Sequence, residues 1–214
     1  MAHPYWPLFD LRVRTPRVEL RPPIDDDAVA LASLAAEGVH DPAATPFSIP
    51  WTDQPSPQLE RGALQYVWRS RAEWTPEKWE LPLAVCFEGQ LVGVQGVGGE
   101  HFASLRSVET GSWLGRRFQG RGLGREMRAA VIHLAFAGLG AERAVSGAWH
   151  DNHPSIAVSR ALGYEDNGEG VKLRRDKPDR HLSFLLTRAR WEATARTDIA
   201  IEQLAPCLDL FGLR

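Results

Sequence analysis

Residues 111–124 read GSWLGRRFQGRGLG, and the most regular amphipathic stretch of the chain stands directly behind them. Leu123, Met127, Ala130, Val131, Leu134 and Gly138 fall at offsets 0, 4, 7, 8, 11 and 15, one face of a helix with about 3.6 residues per turn. Gly138 and Gly140 supply its stop. Residues 108–114, ahead of the glycines, and 143–149, beyond the helix, read as strands. The centre of the chain is therefore a βαβ unit whose first strand turns into its helix through glycine.

The flanks fit the same class. Residues 18–21 make a short strand, and Asp25, Asp26 and Asp27 suit the cap and first turn of a helix running to about Ala36. Residues 41–57 hold five prolines and read as irregular, with a second helix over 58–72. Strands at 81–87 and 91–97 are split by Glu88-Gly89-Gln90, which is hairpin chemistry. A short helix fits 154–162, with Pro154 in its first turn and Gly163 past its end. Tyr164 and residues 181–187 offer the last strands. The tail from 188 carries no clear signal beyond a candidate strand within 198–204. A mixed α/β domain follows.

Basic and acidic residues nearly cancel, 25 against 27. Binding to nucleic acid through bulk positive charge is therefore not expected. Two cysteines, Cys86 and Cys207, make no disulfide framework. The first residues, MAHPYWPLFDLR, lack a basic-then-apolar leader, and no apolar run approaches about 18 residues. These features predict a cytoplasmic chain with no membrane partner.

Glycines 120, 122 and 124 let backbone N–H groups converge without obstruction. The helix behind them adds unpaired N–H groups and a positive dipole end, and Arg116, Arg117, Arg121 and Arg125 surround the point. This is a phosphate site by chemistry. It is not a Walker A loop, because no lysine is present. Nor is it a dinucleotide fingerprint, because counting from Gly120 leaves Arg125 where the last glycine should be.

Gln119-Gly120-Arg121-Gly122-Leu123-Gly124 satisfies Gln/Arg-x-x-Gly-x-Gly/Ala, and resembles the pyrophosphate motif of the GCN5-related N-acetyltransferase superfamily. Asp151-Asn152-His153-Pro154-Ser155, Ser159 and Leu162-Gly163-Tyr164 resemble the branch that acetylates ribosomal-protein N-termini, the RimJ/RimL type. Gly111-Ser112-Trp113-Leu114, Leu186-Thr187-Arg188 and Trp191 extend the likeness from about Thr15 to Trp191. It implies one domain over residues 1–191 and an extension, 192–214, packed on the domain or at a dimer interface. The implied fold is a mixed, mostly antiparallel, twisted sheet of six to seven strands. Helices cover both faces, and the sheet splays at its central parallel pair.

The resemblance also implies roles. The co-substrate is acetyl-CoA or another acyl-CoA, with no metal, and an amine attacks the thioester directly while both substrates are bound. Backbone groups of Trp113 and Leu114 pair with the pantetheine arm. The loop Gln119, Gly120, Arg121, Gly122, Leu123, Gly124 and Arg125 holds the pyrophosphate. Asn152 bonds the pantetheine amide, and Ser155 lies at the sulfur and protonates the thiolate. Asn152 equally suits a helix cap, and Ser155 a plain first-turn residue.

A neutral amine needs a base, for which Glu109 is the first candidate, with His150, Asp151, Glu80 and His101 behind it. A solvent-facing carboxylate is the other reading of Glu109, and a weakly basic acceptor could lose its proton to water. Trp51, Trp68, Trp74 and Trp79 fit either core packing or an aromatic wall over the acceptor. The acceptor is a protein N-terminus, a lysine or a small-molecule amine, and the acyl group is acetyl or a longer one such as succinyl. A homodimer is expected by likeness. The competing class is an acyl-CoA-binding sensor without turnover.

Overall fold

The computed structural model describes residues 3–213 of the chain. It begins with strands β1 (Arg12–Arg14) and β2 (Val18–Arg21), then helices α1 (Asp25–Ala36) and α2 (Gln58–Ala72). Strands β3 (Lys78–Phe87) and β4 (Gln90–Glu100), the short α3 (Phe102–Leu105) and β5 (Ser107–Leu114) follow. The second half holds α4 (Leu123–His133), β6 (Arg143–Trp149), α5 (His153–Ala161), β7 (Glu165–Arg174), β8 (Lys177–Thr187), α6 (Arg188–Glu192) and β9 (Ala200–Glu202).

One sheet of nine strands runs in the order β7-β8-β6-β5-β4-β3-β2-β1-β9. The expected mixed sheet is present, two or three strands wider than the sequence suggested. β1 and β9 are three residues each, too short for any period to register. β7 is exposed along nearly its whole length, so no apolar alternation marks it. β9 pairs with β1, from Arg12↔Glu202 to Arg14↔Ala200, so part of the tail belongs to the sheet. Cys207 and Phe211 beyond it are buried in the core.

Among the described residues only β5 and β6 pair in parallel, and their register runs from Ser107↔Arg143 to Glu109↔Val145. Past that point β5 continues to Leu114 and β6 to Trp149, and the sheet opens between them. The two faces are covered differently. α4 buries Leu123, Met127, Ala130 and Val131 in the main core, the stripe its period predicts. A π-helical turn over Leu134–Gly138 extends it. α1 lays Leu31 and Ala35 on the opposite face, against Ala84, Val94 and Trp113. The start of α1 is tied down by Asp27, whose carboxylate accepts from the Ile24 N–H (3.0 Å) and from Arg21 (2.8 Å).

Candidate active site

The open end of the gap is the glycine loop. Gly120 and Gly122 have φ of 72° and 79°, the left-handed region where a side chain is strained. A Cβ on Gly120 would meet nothing within 4 Å, so the backbone lies bare on that side. α4 begins at Leu123, which leaves the first N–H groups of the helix without intrahelical partners. Leu123 turns its side chain into the core, so its main chain alone is available. The Gln119 side chain is spent inward, donating to the carbonyls of Val39 (2.6 Å) and Leu114 (2.9 Å). It moors the loop to the end of β5. Arg17 braces the other side by donating to the Arg121 carbonyl at 3.0 Å. The arginines are exposed: Arg117 pairs with Glu37, and Arg121 lies over the Phe87 ring at 4.9 Å. Bare N–H groups at a helix N-terminus beside exposed arginines are chemically suited to an anion.

At the mouth of α5, Asn152 accepts from the Ser155 N–H at 3.3 Å. The capping role is thus occupied by its oxygen, which leaves the amide NH₂ for a ligand. Ser155 is half-buried in the first turn. One turn further in, Ser159 is buried and meets a residue that periodicity did not single out.

Arg128 is 5% exposed and donates to Ser159 Oγ (2.9 Å), Ser112 Oγ (3.3 Å) and Ser146 Oγ (3.4 Å). These hydroxyls sit on α5, β5 and β6, so the guanidinium lies behind the gap and bridges its two edges. Its Nε has no hydrogen-bond partner, and no carboxylate among the described residues pairs with it. Burial pulls its pKa down, partly opposed by Tyr164. A buried cation without a counter-charge costs on the order of several kcal/mol. Its helical offset falls outside the apolar stripe of α4, so the sequence pattern treats it as a surface residue. Gln95 is buried in the same layer and donates to the Gly111 carbonyl at 3.0 Å, while its Oε1 has no partner.

Residues 17–165 match the acetyltransferase (GNAT) domain family. The chain belongs to that family. Solved structures of similar fold share little sequence with this GNAT domain. A GCN5-related N-acetyltransferase from Brucella melitensis is 18% identical, covering 85% of this chain and 80% of its own, with a TM-score of 0.67. RimL, a ribosomal L7/L12 alpha-N-protein acetyltransferase in complex with coenzyme A, is 17% identical over 81% and 95%, at 0.65. The microcin C7 self-immunity acetyltransferase, in complex with acetyl-CoA and AMP, is 16% identical over 80% and 93%, at 0.60.

Two of the candidate bases, Glu109 and Glu80, lie on one face of the GNAT sheet, flanking Gly98. Glu109 occupies the last paired position before the gap opens and is exposed. Glu80 accepts from the Tyr66 hydroxyl at 2.6 Å. His150 and Asp151 are engaged on the far side of the gap, His150 with Asp179 (3.2 Å) and Asp151 with Arg174 (2.9 Å). His101 precedes α3, just past the end of β4.

The four tryptophans part company. Trp74 and Trp79 stack in the core beside Phe211. Trp51 stands against Trp113 at 5.8 Å, next to the gap, and Trp68 is 49% exposed. The proline-rich loop bearing Trp51 is held down by the β7–β8 tip. Arg175 grips Asp53 with two bonds of 2.7 Å, and Arg174 donates to the Thr45 carbonyl at 2.9 Å. Trp149 donates to the Phe47 carbonyl at 3.2 Å. No sequence signal pointed to this clasp, because its partners lie more than 100 residues apart. Among the described residues no helix is long and apolar enough to cross a membrane.

Proposed function

We propose that this GNAT domain is an N-acyltransferase of the RimJ/RimL type, moving an acyl group from acyl-CoA to a primary amine by direct attack. The single observation that carries the reading is the gap between β5 and β6 leading to a bare glycine loop at a helix N-terminus. A long donor fits it: a pyrophosphate at the loop and an extended arm along the free edge of β5. Two neighbours of the same fold were solved with coenzyme A or acetyl-CoA, which supports that choice.

The N–H groups of residues 120–125 hold the pyrophosphate, with Gln119 setting the loop. Main-chain groups of Trp113 and Leu114 bond the pantetheine arm, and the Asn152 amide bonds it from the other edge. A strand N–H aimed at the thioester oxygen stabilises the charge that develops there. The amine approaches over the face bearing Glu109. Its nitrogen bonds the acyl carbon, the C–S bond breaks, and Ser155 delivers a proton to the departing sulfur.

The acyl group is acetyl or longer. The lone charge of Arg128 behind the gap supports a chain ending in a carboxylate, such as succinyl, since a buried cation is stabilised by an anion. The acceptor is a protein N-terminus, a lysine or a small amine. We take the working form to be a homodimer; the exposed Val171 and Leu173 of the edge strand β7 offer surface for it.

The test is native mass spectrometry of the purified protein with acetyl-CoA and succinyl-CoA in competition, followed by thiol release across an amine panel. Binding with amine-dependent thiol release is the expected outcome. Binding without release from any amine would make the chain a sensor, and no binding at near-millimolar donor would remove the site.

A further inference from the structure

The sheet face turned toward α2 is bare where the gap begins. Gly96 of β4 pairs with Gly111 of β5, and Gly98 pairs with Glu109. A Cβ on Gly111 would meet nothing within 4 Å, and one on Gly96 would lie 3.5 Å from the Gly111 carbonyl and 3.7 Å from the Tyr66 hydroxyl. Tyr66 therefore stands directly over this glycine floor, beside the residue at which β5 has parted from β6. Its hydroxyl donates to Glu80 Oε1 at 2.6 Å. Glu80 pairs with Gly98, and Gly98 with Glu109. Residues directly opposite one another share a face, so the two carboxylates flank one glycine on the side away from Arg128.

We infer that Glu80, oriented by Tyr66, takes the proton from the acceptor amine, while Glu109 across Gly98 draws the ammonium form into the groove. This rests on the acyl-transfer reading above. A base needs a fixed rotamer within direct or one-water reach of the proton it removes. Glu80 has that fixation from a side chain rooted in α2. Burial, and then the charge of Glu80, hold the Tyr66 phenol well above its usual range, so it remains a donor at working pH. The other charged groups around Glu80 are Lys78 on its own strand, Arg71 from α2 and Glu109 on β5. Arg71 is committed to Asp25 (2.7 Å) and to the Pro23 carbonyl (2.5 Å), so it does not neutralise Glu80.

The protons balance. The ammonium gives one proton to Glu80, which passes it to water. The neutral nitrogen bonds the acyl carbon, the C–S bonding pair leaves on sulfur, and the second proton of the nitrogen replaces the one Ser155 gives the thiolate. A glycine floor without a Cβ admits a flat acceptor, the amine end of an extended chain, lying against β4. That geometry selects an unbranched primary amine.

The experiment is the pH dependence of kcat/KM for thiol release by the full chain, using an amine found in the panel, with acyl-CoA affinity measured on every variant. Glu80→Gln should cut kcat by about a hundredfold or more and leave a residual rate that rises with pH in step with the free-amine fraction of the acceptor, with acyl-CoA affinity unchanged. Tyr66→Phe should cut kcat about tenfold and keep the wild-type profile, and Glu80→Asp should restore part of the rate. The inference is overturned if Glu80→Gln keeps its rate within about threefold, or if Glu109→Gln alone produces that loss and that profile. Loss of acyl-CoA affinity in Glu80→Gln would make the pair structural and overturn it too. A wild-type chain that binds acyl-CoA and acylates nothing would remove both this inference and the reading beneath it.

Discussion

The two sides of the gap are built on opposite plans. On the donor side, one continuous stretch from β5 into α4 carries the loop, the free strand edge and the helix dipole, all set by local backbone geometry. On the acceptor side, the pieces come from α2, β3, the proline-rich loop and the β7–β8 tip. They meet through apolar packing, such as Trp51 on Trp113, and through side-chain bonds such as Tyr66 to Glu80 and Arg175 to Asp53. In the proposed reading, a donor site made of main chain is little altered by side-chain substitution, whereas an acceptor site made of distant side chains can change one residue at a time. Function would then be divided between a rigid half and an adjustable half.

Substitutions can break that division. Ser155→Ala should produce the largest of these effects, about a hundredfold in kcat, with acyl-CoA affinity nearly unchanged in calorimetry. Equal rates would return Ser155 to the helix. Next comes Gly122→Val, where a branched side chain at φ 79° is strained. Acyl-CoA affinity should fall about tenfold or more, and an unchanged titration would move the pyrophosphate elsewhere.

Arg128→Met should then raise KM severalfold for a donor with a terminal carboxylate, leaving acetyl-CoA less affected. Equal effects on both donors would make Arg128 a strut between β5, β6 and α5. The smallest effect belongs to Asp53→Asn, which loosens the clasp of the proline-rich loop. KM for the amine should shift about twofold while donor affinity holds, since exposed ion pairs contribute little.

The same clasp has a pH signature. The Arg175 guanidinium holds the Asp53 carboxyl below the usual carboxylate range. A lowered folded pKa contributes stability that is present above the unfolded value, about 3.9, and is lost as pH falls through the folded value. Hydrogen exchange of residues 41–57 should therefore quicken only below about pH 4, in wild type but not in Asp53→Asn.

Legibility followed the same line between the two halves. Gly120, Gly122 and the start of α4 could be read directly, because positive φ and helix periodicity are local properties that leave a mark on neighbouring residues. Asn152 could be placed at the mouth of α5 for the same reason. Arg128 could not: its offset is that of a surface residue, and only the convergence of α5, β5 and β6 buries it. The clasp of Arg174 and Arg175 onto residues 45–53 left no trace either, since long-range pairs of charges have no period.

By itself, then, the amino-acid sequence determined the βαβ centre, the glycine loop and the family, because each is assembled from local motifs whose residues lie within a few turns of one another along the chain. The tertiary structure alone decided that the gap begins after Glu109, that a cation without a counterion lies behind it, and that Tyr66 and Glu80 share the glycine floor. Those facts depend on which faces meet when the sheet closes, and sheet register between distant strands is set by packing rather than by any one segment.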